Sequence, residues 1–418
     1  MEGTGTGFLI GWKGRNVAMH ILTLNAGSSS LKFSLVTTDG ERRIAHGQAE
    51  WASEPTRYML SVAGGDTIRV ETDWADVDHA IQRVVSDLRR KKIANMAAVV
   101  HRVVHGGTRF TQPVVITDEV QAALHELISL APLHNPCSLE GIAVARETFP
   151  NCPHIAVFDT AFHATLAPEA YTYPVPYEWT EKWNLRRFGF HGLSHAYCAA
   201  RAAEMLNRPL AELRLIVAHL GHGASLAAIQ GGQSVDTTMG FTPLEGLMMA
   251  TRSGTIDPGL VLHIAREHGI PLVEVERVLN EQSGLLGVSG VSADIRQVHQ
   301  AAVSGNSRAQ LAISIYIHRL RQAIGAMAAT LGKVDALVFT GGVGEHDAAV
   351  RAATCDRLAV LGMELDLNAN VGATPDSFVS TPNSQAAIIV VATDEEMMLT
   401  REARDVITKS PDLMKSII

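Results

Sequence analysis

Residues 20–36 read HILTLNAGSSSLKFSLV. An apolar run ends on Asn25-Ala26-Gly27, three serines follow, and Lys32 opens a second, alternating apolar run. Two strand-length runs around a bend of small residues predict a strand pair, near 20–25 and 31–36. The bend has two readings. It is a solvent-exposed hairpin turn, or it is a cradle of N–H, O–H and ammonium donors for phosphate oxygens.

The same pattern returns further along. LRLIVAHLGHGASLAAI, at 213–229, is again an apolar strand, a Gly-polar bend and a second apolar run. ALVFTGGVGEHDAAVR, at 336–351, has a strand, a glycine pair and then a helix, and a last strand, AAIIVVATDEE, ends in two carboxylates. Strand–glycine units that restart midway predict a duplicated α/β protein, with two similar domains facing each other across a cleft.

Between these units the periodicity predicts helices. One spans 77–92, with Val77, Ile81, Val84 and Leu88 on one face and Arg89 to Lys92 closing it, where cations suit the helix dipole. Another spans 117–130 and is stopped by APLHNP, whose two prolines force a loop. HIAVFDTAFH reads as a buried strand ending on Asp159, and the aromatic stretch Tyr171 to Trp183 as a linker or flap. Further helices are expected at 257–268, opened by Asp257-Pro258, and at 271–280 and 308–331. Residues 1–18, Gly-rich and without a long apolar run, read as a disordered extension rather than a signal peptide.

Composition narrows the function. At 418 residues and 46 % hydrophobic, the chain can build two cores. A net charge of −8 argues against nucleic acid or an anionic membrane as partner. Four cysteines, with no CxxC pair, fit reduced thiols in the cytoplasm. No stretch reaches the roughly 20 apolar residues of a bilayer span.

Phosphate binding needs donors that converge, and glycines let backbone N–H groups come close. The stretches 25–32, 219–223 and 341–346 qualify, yet neither GxxxxGK[ST] nor a strand-borne GxGxxG is present, so P-loop and Rossmann readings lose ground. Phosphoryl transfer also needs fixed positive charge, for which Arg102, Arg252 and His191 stand in Gly-rich, weakly periodic segments. Glu395 and Glu396 could hold a hard cation through water, or simply cap a helix. A rival reading takes His191 and His195, four apart, as a zinc pair, but no HExxH and no third ligand support a metal hydrolase.

LTLNAGSSSLKFSL and GFTPLEGLMMATRSGTIDPG resemble the two signature stretches of the acetate kinase family, which also holds propionate and butyrate kinases. HRVVHGG, LAPLHNP, FDTAFH, RRFGFHGLSH, VFTGGVGE and the terminal TDEE follow in that family's order, from about residue 20 to about 405. The resemblance implies an α/β fold of two duplicated RNase H-like domains of the actin, Hsp70 and sugar kinase type. It places the first domain at 19–165 plus 397–412 and the nucleotide-binding domain at 166–396. It implies Mg²⁺-dependent, reversible, in-line transfer from ATP to acetate in a cytoplasmic homodimer, with Mn²⁺ an alternative metal.

Matched position by position, Asn25 and Glu395 organise the metal, Lys32 meets ATP, and Arg102 binds the acetate carboxylate. His191 and Arg252 stabilise the phosphoryl group, and Asp159 orients Arg102 or the metal, since a carboxylate nucleophile needs no base. Val104, Leu133, Phe190 and Pro243 would surround the acyl methyl group. His219, Leu220, Gly221, His222 and Gly223, then Asp294, Ile295 and Arg296, then Gly342, Val343, Gly344, Glu345 and His346 align with the nucleotide-binding stretches. His222 and His346 stand where the family has asparagine, and His222 is expected to make nucleotide binding pH-sensitive near neutrality. Two alternatives stay open: a propionate kinase, and a nucleotide-switched binding protein of the same fold.

Overall fold

The computed structural model describes residues 19–38, 41–51, 55–74, 76–93, 95–132, 134–411 and 413. The extension expected over 1–18 and the pocket residue Leu133 lie outside the described residues. The chain forms two compact units, Met1–Ala161 with Glu395–Ile418, and Phe162–Asp394.

The opening stretch does form a strand pair. In the first unit β1 (His20–Ala26) and β2 (Ser30–Thr37) are antiparallel, with Asn25 directly opposite Lys32. The chain continues antiparallel through β3 (Arg43–Glu50), β4 (Thr56–Val62) and β5 (Thr67–Thr72). It then returns to β1 from the other side with β6 (Met96–Val103) and β8 (His154–Phe158), both parallel, and a short antiparallel β7 (Val114–Val115) at the edge. The order is β5-β4-β3-β2-β1-β6-β8-β7. Helix Val77–Arg90 lays its buried face (Val77, Ala80, Ile81, Val84, Val85, Leu88) into the core with Leu22, Leu24, Phe33 and Leu35. Its last turn carries Arg89 and Arg90, as charge near a helix C-terminus favours.

The second unit has six strands: β9 (Arg214–Leu220), β10 (Ala224–Gln230), β11 (Gln233–Thr237), β12 (Ala336–Thr340), β13 (Ser377–Phe378) and β14 (Ala387–Val390). Their order is β11-β10-β9-β12-β14-β13. Strands β3-β2-β1-β6-β8 and β11-β10-β9-β12-β14 are therefore the same arrangement twice: two antiparallel neighbours on one side of the first strand, two parallel ones on the other. The duplication read from the glycine bends is real: the bends at 27–29 and 221–223 join the first two strands of their units, whereas Gly341 and Gly342, after β12, open a short helix.

Three local expectations need correction. Asn135 and Pro136 of APLHNP open the helix Asn135–Thr148, because proline is tolerated in a first turn whose N–H groups lack intrahelical partners anyway. The segment Tyr171 to Trp183 contains two short helices, Pro168–Tyr171 and Tyr177–Trp183, rather than an open linker. The Arg186 guanidinium stacks 3.9 Å over the Tyr171 ring and holds the segment back on the chain. Finally, β14 ends at Val390, so Glu395 and Glu396 lie not at a strand end but in the first turn of the terminal helix Glu395–Lys409, where acidic side chains favour the helix dipole.

Candidate active site

In the first unit the candidate side chains Asn25, Arg102 and Asp159 collect at the C-terminal ends of β1, β6 and β8. Arg102 of β6 is held like a part in a jig. Its Nε donates to Asp159 Oδ1 at 2.9 Å, Nη2 donates to Asp159 Oδ2 at 2.5 Å, and Nη1 donates to Asn25 Oδ1 at 3.1 Å. Glu395 Oε2 lies 3.9 Å from Nε. The Arg102 side chain is 19 % exposed and that of Asp159 only 2 %. Burial works against the guanidinium's charge, but the Asp159 and Glu395 carboxylates outweigh it, and the pKa of Arg102 is raised. Three of the five N–H donors of Arg102 are thus engaged, and two remain, as many as one bidentate carboxylate uses.

Asn25 Oδ1 and the Glu395 carboxylate form an all-oxygen pair beside this guanidinium. Among the described residues no group of three or more His, Cys, Asp or Glu could hold a metal by itself. Oxygen donors of this kind are the ligand chemistry of a hard cation, which could be held here with water and phosphate completing its shell. Lys32 is exposed opposite Asn25 in the β1–β2 register. Val104 follows β6 and is half-buried.

In the second unit His191 caps the helix Gly192–Leu206 with left-handed backbone angles, φ 58° and ψ 26°, which a ring-bearing residue adopts only at some strain. Its Nδ1 lies 2.9 Å from Ser225 Oγ, and its ring stacks on His219 at 4.4 Å. A methyl group on Gly223 would stand 3.3 Å from His191 Nε2 and 3.5 Å from Arg252 Nη1, so both cationic-type side chains close on the same point of the β9–β10 bend. Arg252 donates to Pro243 O at 3.4 Å and pairs with no carboxylate among the described residues. Burial lowers its pKa. Phe190 is buried and Pro243 half-buried beside these groups in sequence.

Next to the bend lies a cavity of about 780 Å³. Eight of the residues expected to bind nucleotide line it: Gly221, His222, Asp294, Ile295, Arg296, Gly342, Val343 and His346. His219, Leu220, Gly223, Gly344 and Glu345 do not. Leu220 is buried in β9, where its carbonyl packs so closely on Gly341 that a side chain there could not fit; Gly341 also has φ +76°. Glu345 Oε1 accepts from the backbone N–H of Gly341 (3.0 Å) and of Thr393 (3.2 Å), tying the turn after β12 to the segment after β14. Asp294 caps the helix Ile295–Val303 and forks onto Arg296 at 2.6 Å.

Sequence reading missed seven residues of this lining: Ala250, Leu285, Ser292, Ala293, Tyr316, Asp347 and Ala348. Asp347 carried a signal, since it follows GGVGEH and caps the next helix; Ser292, Ala293 and Ala348 lie close to expected positions, and Ala250, Leu285 and Tyr316 sit in ordinary apolar patterns. The expectation for His222 also changes. Although exposed, its ring is partly covered and lies near the Arg252 charge, and both push its pKa below 6.5, away from neutrality. The proposed zinc pair is no pair: His191 and His195 both turn to Ser225 Oγ.

A sheet arrangement used twice, with donor-rich glycine bends after the first strand of each copy, defines the two-domain class shared by actin, Hsp70 and sugar kinases. The profile of the Acetokinase family matches residues 20–401. An acetate kinase of Rippkaea orientalis is 45 % identical over 398 residues, 92 % of this chain and 98 % of its own length. The crystal structure of Porphyromonas gingivalis acetate kinase matches with a TM-score of 0.86 at 39 % identity, covering 93 % of this chain and all of the other. That of a propionate kinase from Francisella tularensis also gives 0.86, at 40 % identity, covering 92 % and 98 %. The chain belongs to the acetokinase family.

Proposed function

We propose that this chain transfers the γ-phosphoryl group of ATP reversibly to a carboxylate oxygen of acetate, giving acetyl phosphate and ADP. Arg252 carries the reading: a half-buried guanidinium without a carboxylate partner among the described residues, converging with His191 on Gly223. A fixed cation left without a counter-ion suits a group that brings its own negative charge. ATP would lie in the 780 Å³ cavity with its phosphates toward the Gly221–Gly223 bend. Lys32 would meet the terminal phosphates. The two uncommitted donors of Arg102 would fork onto the acetate carboxylate, while Asp159 fixes the guanidinium plane. Val104, half-buried just after β6, would help keep water from the methyl group.

Asn25 and Glu395 would hold the magnesium ion, which when bound neutralises phosphate charge. Proton transfer is not required, because the nucleophile is already ionised; the residues orient and screen. The four cysteines are free thiols, which supports a reducing cytoplasm, and a homodimer is what the family resemblance implies. Among the described residues no helix is long and apolar enough to cross a membrane.

Mixing the protein with Mg-ATP, acetate and hydroxylamine should yield acetyl hydroxamate. Propionate belongs in a parallel reaction, since the Francisella tularensis relative is named a propionate kinase. A pocket of this type separates one methylene by only about 1–3 kcal/mol, so both should react, with acetate giving the higher kcat/KM. Loss of ATP with neither hydroxamate formed would sink the kinase reading in favour of a nucleotide-switched binding protein.

A further inference from the structure

Behind His191 runs a buried chain of hydrogen bonds for which the transfer chemistry above has no use. Ser225 of β10 is fully buried, and its Oγ lies between two rings, 2.9 Å from His191 Nδ1 and 2.8 Å from His195 Nε2. His195 is also fully buried, and its other nitrogen, Nδ1, has no hydrogen-bond partner. Burial and the neighbouring His163 and His219 hold its pKa well below 6.5, so the ring is neutral and carries one proton.

The place of that proton follows from what each nitrogen can do with it. An N–H buried without an acceptor forfeits a hydrogen bond outright, whereas a bare ring nitrogen leaves only a weak acceptor unused. The His195 proton therefore sits on Nε2 and is donated to Ser225 Oγ. The serine hydrogen is then free to point to its other neighbour, His191 Nδ1. A neutral imidazole that accepts at Nδ1 carries its proton on Nε2, and Nε2 is the nitrogen that faces Gly223 and Arg252.

We infer that Ser225 and His195 are positioning residues that fix His191 as the Nε2–H tautomer. The ring then offers a donor, not a lone pair, to an oxygen of the migrating phosphoryl group. The opposite tautomer would set a lone pair against an anionic oxygen. The catalytic consequence rests on the kinase reading; the tautomer does not, being a property of the chain alone.

Long-range ¹H–¹⁵N spectra of the full chain labelled with ¹⁵N-histidine separate the two, at about pH 8, above the ordinary imidazole range. The His191 signals are those missing from His191→Gln. The wild type should show an unprotonated Nδ1 and a protonated Nε2, Ser225→Ala should show the two averaged, and Ser225→Thr should restore the wild-type pattern. In the kinase assay Ser225→Ala should lower kcat about tenfold, with both KM values within about twofold, and the threonine variant should recover most of the loss. A protonated Nδ1 in the wild type would overturn the assignment even if the variants fail to fold, and so would a Ser225→Ala spectrum identical to wild type. Absence of acyl phosphate formation alongside the expected tautomer would count against the kinase reading and for the relay.

Discussion

Two arginines of similar burial do different things in the two units. Arg102 is bracketed by Asp159 and Asn25, with Glu395 close by, and its charge is balanced before any substrate arrives. Arg252 has a single backbone carbonyl at 3.4 Å and no acid beside it among the described residues. A balanced guanidinium holds a shape and can be read by a planar carboxylate. An unbalanced one holds a charge, and its interaction grows as negative charge develops next to it. Under the proposed reaction, the difference would give ground-state orientation to the first and transition-state stabilisation to the second.

Substitution can break that contrast. Arg252→Ala should lower kcat by about 10³, near 4 kcal/mol of barrier, while leaving thermal stability unchanged or slightly raised, since an unpaired buried cation is removed. Steady-state kinetics beside a thermal melt checks both halves; normal turnover would undo the role given to Arg252. Asp159→Ala should behave the opposite way round, with a stability loss of about 3 kcal/mol in urea unfolding, because it strands the Arg102 charge. If the two variants lost stability equally, the distinction would be false.

Smaller changes sharpen it. Gly223→Ala has ordinary backbone angles to adopt, but its methyl group would press on His191 Nε2 and Arg252 Nη1 at 3.3 and 3.5 Å. A fall of about tenfold in kcat, with the fold intact by circular dichroism, is expected, in line with the sensitivity of transfer to small misplacements. Least of all, His222→Asn should leave ATP affinity unaltered above pH 6.5, the ordinary imidazole value. Burial and the Arg252 charge delay protonation of His222 to more acid solution, and only there should the wild type gain affinity relative to the variant. Binding titrations across the acid range decide it, and a divergence at neutral pH would contradict the direction of the shift.

The duplicated core was readable because strand, glycine bend and strand recur with strong apolar runs, as in 20–36 and 213–229. Strands β3 and β5 were not readable. The inward positions of β3 are Ala45, Gly47 and Ala49, too small to register as a hydrophobic stripe, and β5 alternates exposed with half-buried residues. The site followed the same logic. Arg102, Asp159 and His191 stood out by type and setting, whereas Ser225, one small residue in an apolar strand, gains meaning only when β10 passes behind the helix that starts at Gly192. Glu395 was misplaced on a strand because an acidic pair after an apolar run reads equally well as a strand end or as a helix start.

The last helix adds an order of events. Leu399, Ala403 and Ile407 are fully buried in the first unit, and Arg401 and Arg404 both bind Glu41 there, more than 350 residues back along the chain. A nascent polypeptide leaving the ribosome must therefore complete the second unit before the first can close. Glu395 rides on that helix, so the carboxylate proposed to hold the metal joins the first unit only once the whole second unit has been made.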